Sequence, residues 1–120
     1  MPLEALAEAQ GKQLRKLLGL AAEEARSLGH HYVGTRHVAV AVLQMLADDG
    51  SAVDARSRLE GLLGRGSAEV DDPLWATPRL VQFVSECRAG SETDDVGAAD
   101  VLSAIRRLEP AVAEAILGEP

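Results

Sequence analysis

Aromatic residues are nearly absent from this chain. One Trp, one Tyr and one Phe make up 2% of its 120 residues, while the apolar share reaches 47%. A core so poor in rings must be built from Leu, Val and Ala, side chains whose pattern here favours packed helices over a sheet. Cysteine is scarcer still: Cys87 stands alone, so no disulfide closes within the chain, and no charged leader followed by an apolar stretch stands at Met1. An intracellular, cytoplasmic location is expected. No apolar run approaches the roughly 20 residues that cross a bilayer, which predicts a soluble protein with no membrane partner. Basic residues are outnumbered, 12 Lys and Arg against 19 Asp and Glu for a net charge of -7, and no basic block is interleaved with aromatics. A phosphate backbone repels such a chain, so nucleic acid is not an expected partner. The length fits one domain able to bury its own core.

What is present is helical periodicity. Leu14, Leu17, Leu18, Ala21, Ala22, Ala25 and Leu28 recur at steps of three and four, one apolar stripe on a long first helix, with Glu23, Glu24 and Arg26 on its solvated face. Leu3 and Leu6 either extend that helix or form a short one before it, since Gly11 weakens the join by about 1 kcal/mol. Gly29 is placed to end the helix in a left-handed conformation. A second helix from near Thr35 carries Val38, Val42, Met45 and Leu46 on one face, and Val40, Ala41 and Leu43 make it apolar nearly all round. It is expected at the centre. Asp48, Asp49, Gly50 and Ser51 read as a turn, with Ser51 capping a helix through Leu59, Leu62 and Leu63. "GRGSAEVDDP", residues 64–73, reads as the linker between halves.

The second half opens on "ATPRL", where Thr77 caps and Pro78 takes the first helical position, at which a missing amide proton costs nothing. Leu80, Phe83, Val84 and Cys87 make one helix face, and "AGSETDD", residues 89–95, a loop. Val101, Ala104, Ile105 and Leu108 mark a further helix, and Pro110 stops it or starts the next, which carries Val112, Ile116 and Leu117. Each half therefore holds a longer helix, a turn with a Val-Gly pair and shorter helices, the layout of an internal duplication.

"AAEEARSLGHHYVGTRHVAVAVL" is similar to the first repeat of the Clp N-terminal domain, the two-repeat helical module that precedes the ATPase rings of ClpC-type and ClpA-type unfoldases. There the pattern runs EEA, LGH, a Tyr or Asn, then an aliphatic-G-T-E-H element and a leucine-rich helix. "LLGRG" followed by "TPRL" resembles the passage into that family's second repeat. The likeness is specific in the first 46 residues, moderate at Thr77 to Arg79 and faint in the second repeat. The stretch before "LLGRG" is about ten residues shorter than the family pattern, so one helix per half is expected to be lost or fused. The resemblance implies an all-α bundle of two pseudo-repeated helical units within a single domain, residues 1–120: repeat one about 1–64, linker 65–76, repeat two about 77–118. It further implies a module that binds substrates, degradation tags or adaptors without chemistry of its own, here either a stand-alone, divergent member or a fragment cut from a longer protein.

The departures narrow this. In ClpC-type members that this chain resembles, the Glu of each G-T-E-H element helps hold phosphorylated arginine, its carboxylate on the guanidinium. Here the elements are "GTRH" and "GAAD". Arg36 replaces one acid and Ala99 the other, so the bidentate clamp is lost at both places. Thr77 keeps one repeat-opening threonine; near Gly11 its counterpart is missing. Arg36 itself can hold a phosphate or carboxylate, which inverts the corner's selectivity. A phosphate-binding loop is lacking too: the one Gly-Lys pair, Gly11-Lys12, is followed by Gln13 and has Leu6 where the first glycine belongs, so no ATPase is encoded.

The crowded stretch "LGHHYVGTRH", residues 28–37, supplies His30, His31 and His37, but neither helical spacing of four nor an acidic companion completes a zinc site. They read as turn and helix-start residues, and no metal or cofactor is expected. Cys87, on an apolar face, reads as a small buried hydrophobe rather than a nucleophile. Glu23 and Glu24 point about 100° apart, poor geometry for acid-base work. Trp75 either covers the seam between halves or lines a groove between them with Leu6 or Leu14 and anchors a ligand. The reading that follows is a non-enzymatic protein- or peptide-binding module, an adaptor, decoy or regulator of a Clp ATPase or its substrates, with Arg36, Thr35, Tyr32, Trp75, Thr77 and Arg79 as candidate contacts. The alternative is the same scaffold recruited into a biosynthetic pathway as a small-molecule-binding or catalytic accessory, with Trp75, Arg36, Tyr32 and the histidines around a pocket.

Overall fold

The computed structural model describes residues 1–47, 50–69, 72–91 and 95–118. Within them lie seven helices, α1 (Leu3–Glu8), α2 (Lys12–Ser27), α3 (Thr35–Leu46), α4 (Ser51–Leu63), α5 (Pro78–Ala89), α6 (Ala98–Leu108) and α7 (Pro110–Ala115), and two strands of two residues, β1 (Tyr32–Val33) and β2 (Trp75–Ala76). The chain is an all-α bundle, as the ring-poor core requires.

α3 is its axis. Val38 through Val42 are all buried, and the helix packs against α2, α4, α5, α6 and α7. A helix with no polar face has nowhere else to go. The α2 stripe from Leu14 to Leu28 is buried throughout, and Gly29 follows it at φ 72°. Leu3 and Leu6, whose helix the sequence leaves open, belong to a separate six-residue α1. In the second half Leu80, Phe83, Val84 and Cys87 are buried on α5, Thr77 Oγ1 accepts the Leu80 amide at 3.1 Å, and Pro78 sits at the start of the helix. Pro110 takes both expected roles: α6 stops at Leu108 and α7 begins on the proline. Ile116 and Leu117 fall just past the end of α7, with Ile116 fully buried.

Three expectations are corrected. Gly50, not Ser51, is the N-cap of α4, and Ser51 is its first helical residue; Asp48 and Asp49 of the expected turn lie outside the described residues, as do 92–94 of the expected loop. α4 packs through Ala55, Leu59 and the partly buried Leu63, at steps of four, which leaves Leu62 54% exposed instead of on the apolar face. Glu24 is not solvated: it is 3% exposed, because Arg56 of α4 reaches it with Nε 2.6 Å from Oε2 and a terminal nitrogen 2.5 Å from Oε1. A carboxylate stays ionised out of water only with such a partner.

The pair is lopsided, Arg56 keeping 39% of its side chain exposed against 4% for Glu24. Removing the arginine strands a buried charge, whereas removing the acid frees a guanidinium that water can reach. Arg56→Ala is expected to cost about 3 kcal/mol and Glu24→Ala about half that, read from urea midpoints at constant m-value. Equal losses would show that burial of the carboxylate is not the cause.

Candidate functional site

The residues of the crowded stretch fold into one corner. Gly29 adopts the left-handed conformation that L side chains avoid, and it lies against Gly66 so closely that a Cβ on either would strike the other's carbonyl oxygen. Two amides lock the crossing, Gly66 N to Leu28 O at 2.8 Å and Ala68 N to Gly29 O at 2.9 Å. "LLGRG" is therefore the segment of chain that lies over "LGH"; the close crossing requires Gly66, and Gly64 is favoured by its φ of 68°.

Beneath the crossing two imidazoles are buried, His37 completely and His30 to 4% exposure. His37 Nδ1 accepts the Gly34 amide at 3.0 Å, His37 Nε2 lies 2.9 Å from His30 Nδ1, and His30 Nε2 lies 2.7 Å from the Gly64 carbonyl. The ends dictate the tautomers. An amide only donates and a carbonyl only accepts, so His37 carries its proton on Nε2 and donates to His30 Nδ1, and His30 donates through Nε2 to Gly64. Every ring nitrogen is used, with both rings neutral. Burial first, then the neighbouring His30 and Arg36, push the His37 pKa down to about 4. His31 points away, exposed, its Nδ1 4.0 Å from Asp72.

Next to this chain the backbone turns into β1. It pairs in parallel with β2, Tyr32 opposite Trp75 and Val33 opposite Ala76, so the inward residues Val33 and Ala76 are buried while the two rings share the outer face. Tyr32 is 37% exposed and stacks on His30 with centroids 5.5 Å apart and planes at 14°; Trp75 is 51% exposed. Pro2 bridges to the other side of Trp75, and Ala76 N donates to Met1 O at 2.9 Å. The ribbon was not expected from the sequence, because two residues leave no periodicity to read.

The ribbon also brings Thr77 against the start of α3: a Cβ on Gly34 would lie 3.6 Å from the Thr77 side chain. Thr35 is buried there and Arg36 is exposed, with no hydrogen bond or ion pair to a described residue. Arg79 does not join them. Its guanidinium is turned to the α5–α7 seam, Nε donating to Glu109 Oε1 at 2.5 Å and a terminal nitrogen 3.6 Å from Glu86. Of the candidate contacts, the structure thus brings Tyr32 opposite Trp75 and Thr77 to the start of α3, leaves Thr35 buried, and turns Arg79 to packing.

The "GAAD" element is built like "GTRH". Gly97 N donates to Asp100 Oδ2 at 3.2 Å, as Gly34 N does to His37. Asp95 accepts the Gln13 amide at 2.9 Å and its side-chain amide at 3.2 Å, setting a carboxylate at the N-terminus of α2. Sequence reasoning missed Asp95, Gly64, Gly66 and Gln10; only the two glycines carried a signal, as breakers within "LLGRG". Cys87 is buried, and burial above all pushes its thiol up to about 11, so it stays protonated and unreactive at neutral pH. No three His, Cys, Asp or Glu side chains converge on a metal position among the described residues.

Two grooves flank α1. One, of about 450 Å³, lies towards α2 and Pro73–Leu74, and the other, of about 470 Å³, towards α5. Leu6 lines the second, but Trp75 lines neither and Leu14 is in the core. A groove shared by Trp75 with Leu6 or Leu14, one of the two readings of that residue, is neither of these, because the parallel pairing with β1 turns the indole outward.

The class that this geometry defines is a small all-α module with two half-exposed rings held on a rigid corner. Comparison with known proteins places part of it near the Clp ATPases. The chain is 38% identical over 78 residues to an ATP-dependent Clp protease ATP-binding subunit ClpA homolog of Cyanidium caldarium, covering 58% of this chain and 9% of that protein. It is 37% identical over 73 residues to the chloroplastic chaperone protein ClpC of Pisum sativum, covering 53% of this chain and 8% of that protein. A ClpA homolog of Guillardia theta is similar to the same extent, with 9% of its length covered. No family model matches the chain. It spans less than a tenth of the length of these curated relatives, and over a little more than half of its own length it is Clp-like. No helix among the described residues is long and apolar enough to cross a membrane.

The corner generates two expectations, and α2 a third as a contrast. Because His37 is neutral in the fold with a pKa of about 4 and free to bind a proton near 6.5 once unfolded, the unfolded chain holds more protons between these values, so stability rises with pH across that window. The contribution is full above about pH 6.5 and fades by about 3 kcal/mol on the way to pH 4. Urea midpoints measured from pH 7.5 to 4.5 should show the fall, and His37→Gln should flatten it. Gly29→Ala, which combines a left-handed φ with a backbone clash, is expected to cost about 2–4 kcal/mol. Gly19→Ala, in α2 with nothing within 4 Å of the new methyl, is expected to gain about 0.5–1 kcal/mol.

Proposed function

We propose that the chain is a non-enzymatic protein-binding module of the Clp N-terminal kind, acting as an adaptor, decoy or regulator of a Clp unfoldase. Two pseudo-repeated units, about 1–64 and 77–118 joined by 65–76, make up the domain in this reading. The observation that carries it is the Tyr32–Trp75 pair. A chain with three aromatic residues keeps two of them half in water, side by side, on a ribbon where three backbone segments meet. Large rings on a stiff support are the anchors that protein interfaces use, since little side-chain entropy remains to be lost on binding. Met1, 55% exposed, extends the apolar surface beside them.

Arg36 and Thr77 form the rim of this face in this reading, Thr35 being buried beneath it, and Arg36 selects an acidic group on the partner. No acid stands at position 36 or 99, so in this reading the clamp for phosphorylated arginine is absent or severely weakened. A small-molecule reading needs a cavity bounded by Trp75, Arg36, Tyr32 and the histidines. His30 and His37 are instead consumed in each other's hydrogen bonds, which supports a protein partner over a metabolite.

Affinity capture from the native cell extract tests this, followed by calorimetry with the recovered partner. Clp unfoldase subunits or their substrates are expected on the unmodified chain, and Trp75→Ala should weaken binding by about 2 kcal/mol, roughly 30-fold. Arg36→Glu should weaken it with a salt-dependent share. Recovery of a bound metabolite, or capture indifferent to Trp75→Ala, would count against the reading.

A further inference from the structure

α1 lies in a trough wider than itself. The groove on one side is floored by Leu18, Gly19 and Ala22 of α2, and that on the other is walled by Val81 and Val84 of α5. Two apolar sockets take Leu3 and Leu6, which are 6% and 5% exposed. At the leading end the main chain is read as an added strand would be: Leu3 N donates to Leu74 O at 3.0 Å and Ala76 N to Met1 O at 2.9 Å. At the trailing end one guanidinium nitrogen of Arg15 donates to the Glu8 carbonyl at 3.4 Å and the Gln10 carbonyl at 3.2 Å. The trough thus recognises the start, the two leucines and the end of a short helix, the features of helix-in-groove binding.

Little else holds α1 in place. Six residues are too few for a helix to sustain itself, Pro2 supplies no side-chain cap, and Gly11 separates it from α2. At the hinge Gln10 is 7% exposed. Its Nε2 bonds to Leu6 O at 2.9 Å, while Oε1 is buried with no hydrogen-bond partner. A buried acceptor without a donor is unfavourable for as long as α1 stays docked and is relieved by water once it leaves.

We propose that α1 is an exchangeable internal occupant, and that the trough accepts in its place a short helical segment of a partner polypeptide. That segment carries two leucines three residues apart, an extended residue before the first, and acids on the flank facing Arg15 and Arg26, which line the groove opposite Glu4 and Glu8. The inference deepens the protein-binding reading and uses a surface that adjoins the Tyr32–Trp75 face, since Met1 and Pro2, which lead into α1, also pair with Ala76 and Trp75.

The probe is a fluorescent nonapeptide of residues 1–9, titrated into the full chain and followed by anisotropy. Leu6→Ser in the protein weakens the internal occupant and should raise peptide affinity on the order of tenfold, the reciprocal of the open fraction being removed. The same peptide with both leucines changed to serine should not bind, and Arg15→Ala should lower the affinity gained. Equal binding of the leucine-free peptide, or no gain with Leu6→Ser, overturns the proposal. So does a concentration-dependent dimer that excludes the peptide, which assigns the trough to a second copy of this chain. Native-state hydrogen exchange on the unmodified protein needs no variant: the amides of Ala5–Ala9 should be roughly a hundredfold less protected than those of Leu17–Ala25, and equal protection overturns the proposal. Peptide binding that persists in Trp75→Ala while capture is lost separates the two surfaces. Failed peptide binding with Trp75-dependent capture intact sinks this inference alone.

Discussion

A hydrogen-bond chain with one permissible direction holds this protein's corner together. It runs from the Gly34 amide through His37 and His30 to the Gly64 carbonyl, and it joins the end of α2, the start of α3 and the exit of α4. Because both rings are buried and each nitrogen has one role, moving any of the three segments leaves a polar atom unpaired in an apolar interior, the most costly kind of defect. The backbone crossing of Gly29 and Gly66 is what brings the Gly64 carbonyl within reach. Where that crossing sits, β1 must start, and its pairing with β2 follows.

The acid-rich composition finds its use inside the fold as much as on it. Asp100 and Asp95 occupy helix starts, where the exposed amides and the helix dipole favour negative charge. Glu24 and Glu109 neutralise arginines across helix seams. Arg79 is spent on such a seam, whereas Arg36 faces water at the start of α3. Two arginines that a sequence reads alike are separated by whether an acid lies within reach.

Function in this reading is a matter of surfaces rather than of reacting groups. The thiol of Cys87 is buried and held protonated, and the two enclosed imidazoles bond to one another, so the residue types that most often carry chemistry are occupied in packing. Two rings face outward on a support too short to flex, and a self-docked helix lies on the adjoining side. In the proposed reading both serve recognition of polypeptide chains, by a chain that is Clp-like over part of its length.

By itself the sequence determined the helices and their inward faces, because a period of 3.6 repeated over ten or more residues leaves one solution. Leu14 to Leu28 was legible for that reason, Leu80 to Cys87 from a shorter stretch of the same period and Val38 to Val42 as an unbroken apolar run, as were Thr77-Pro78 and Gly29, whose side chains or lack of one permit few conformations. The tertiary structure alone decided that Glu24 is buried, that Leu62 is exposed, that Arg79 faces Glu109 and that Trp75 pairs with Tyr32. Each of these depends on a partner 30 or more residues away or on where a helix meets the edge of the core, and no local pattern records which distant residue will arrive.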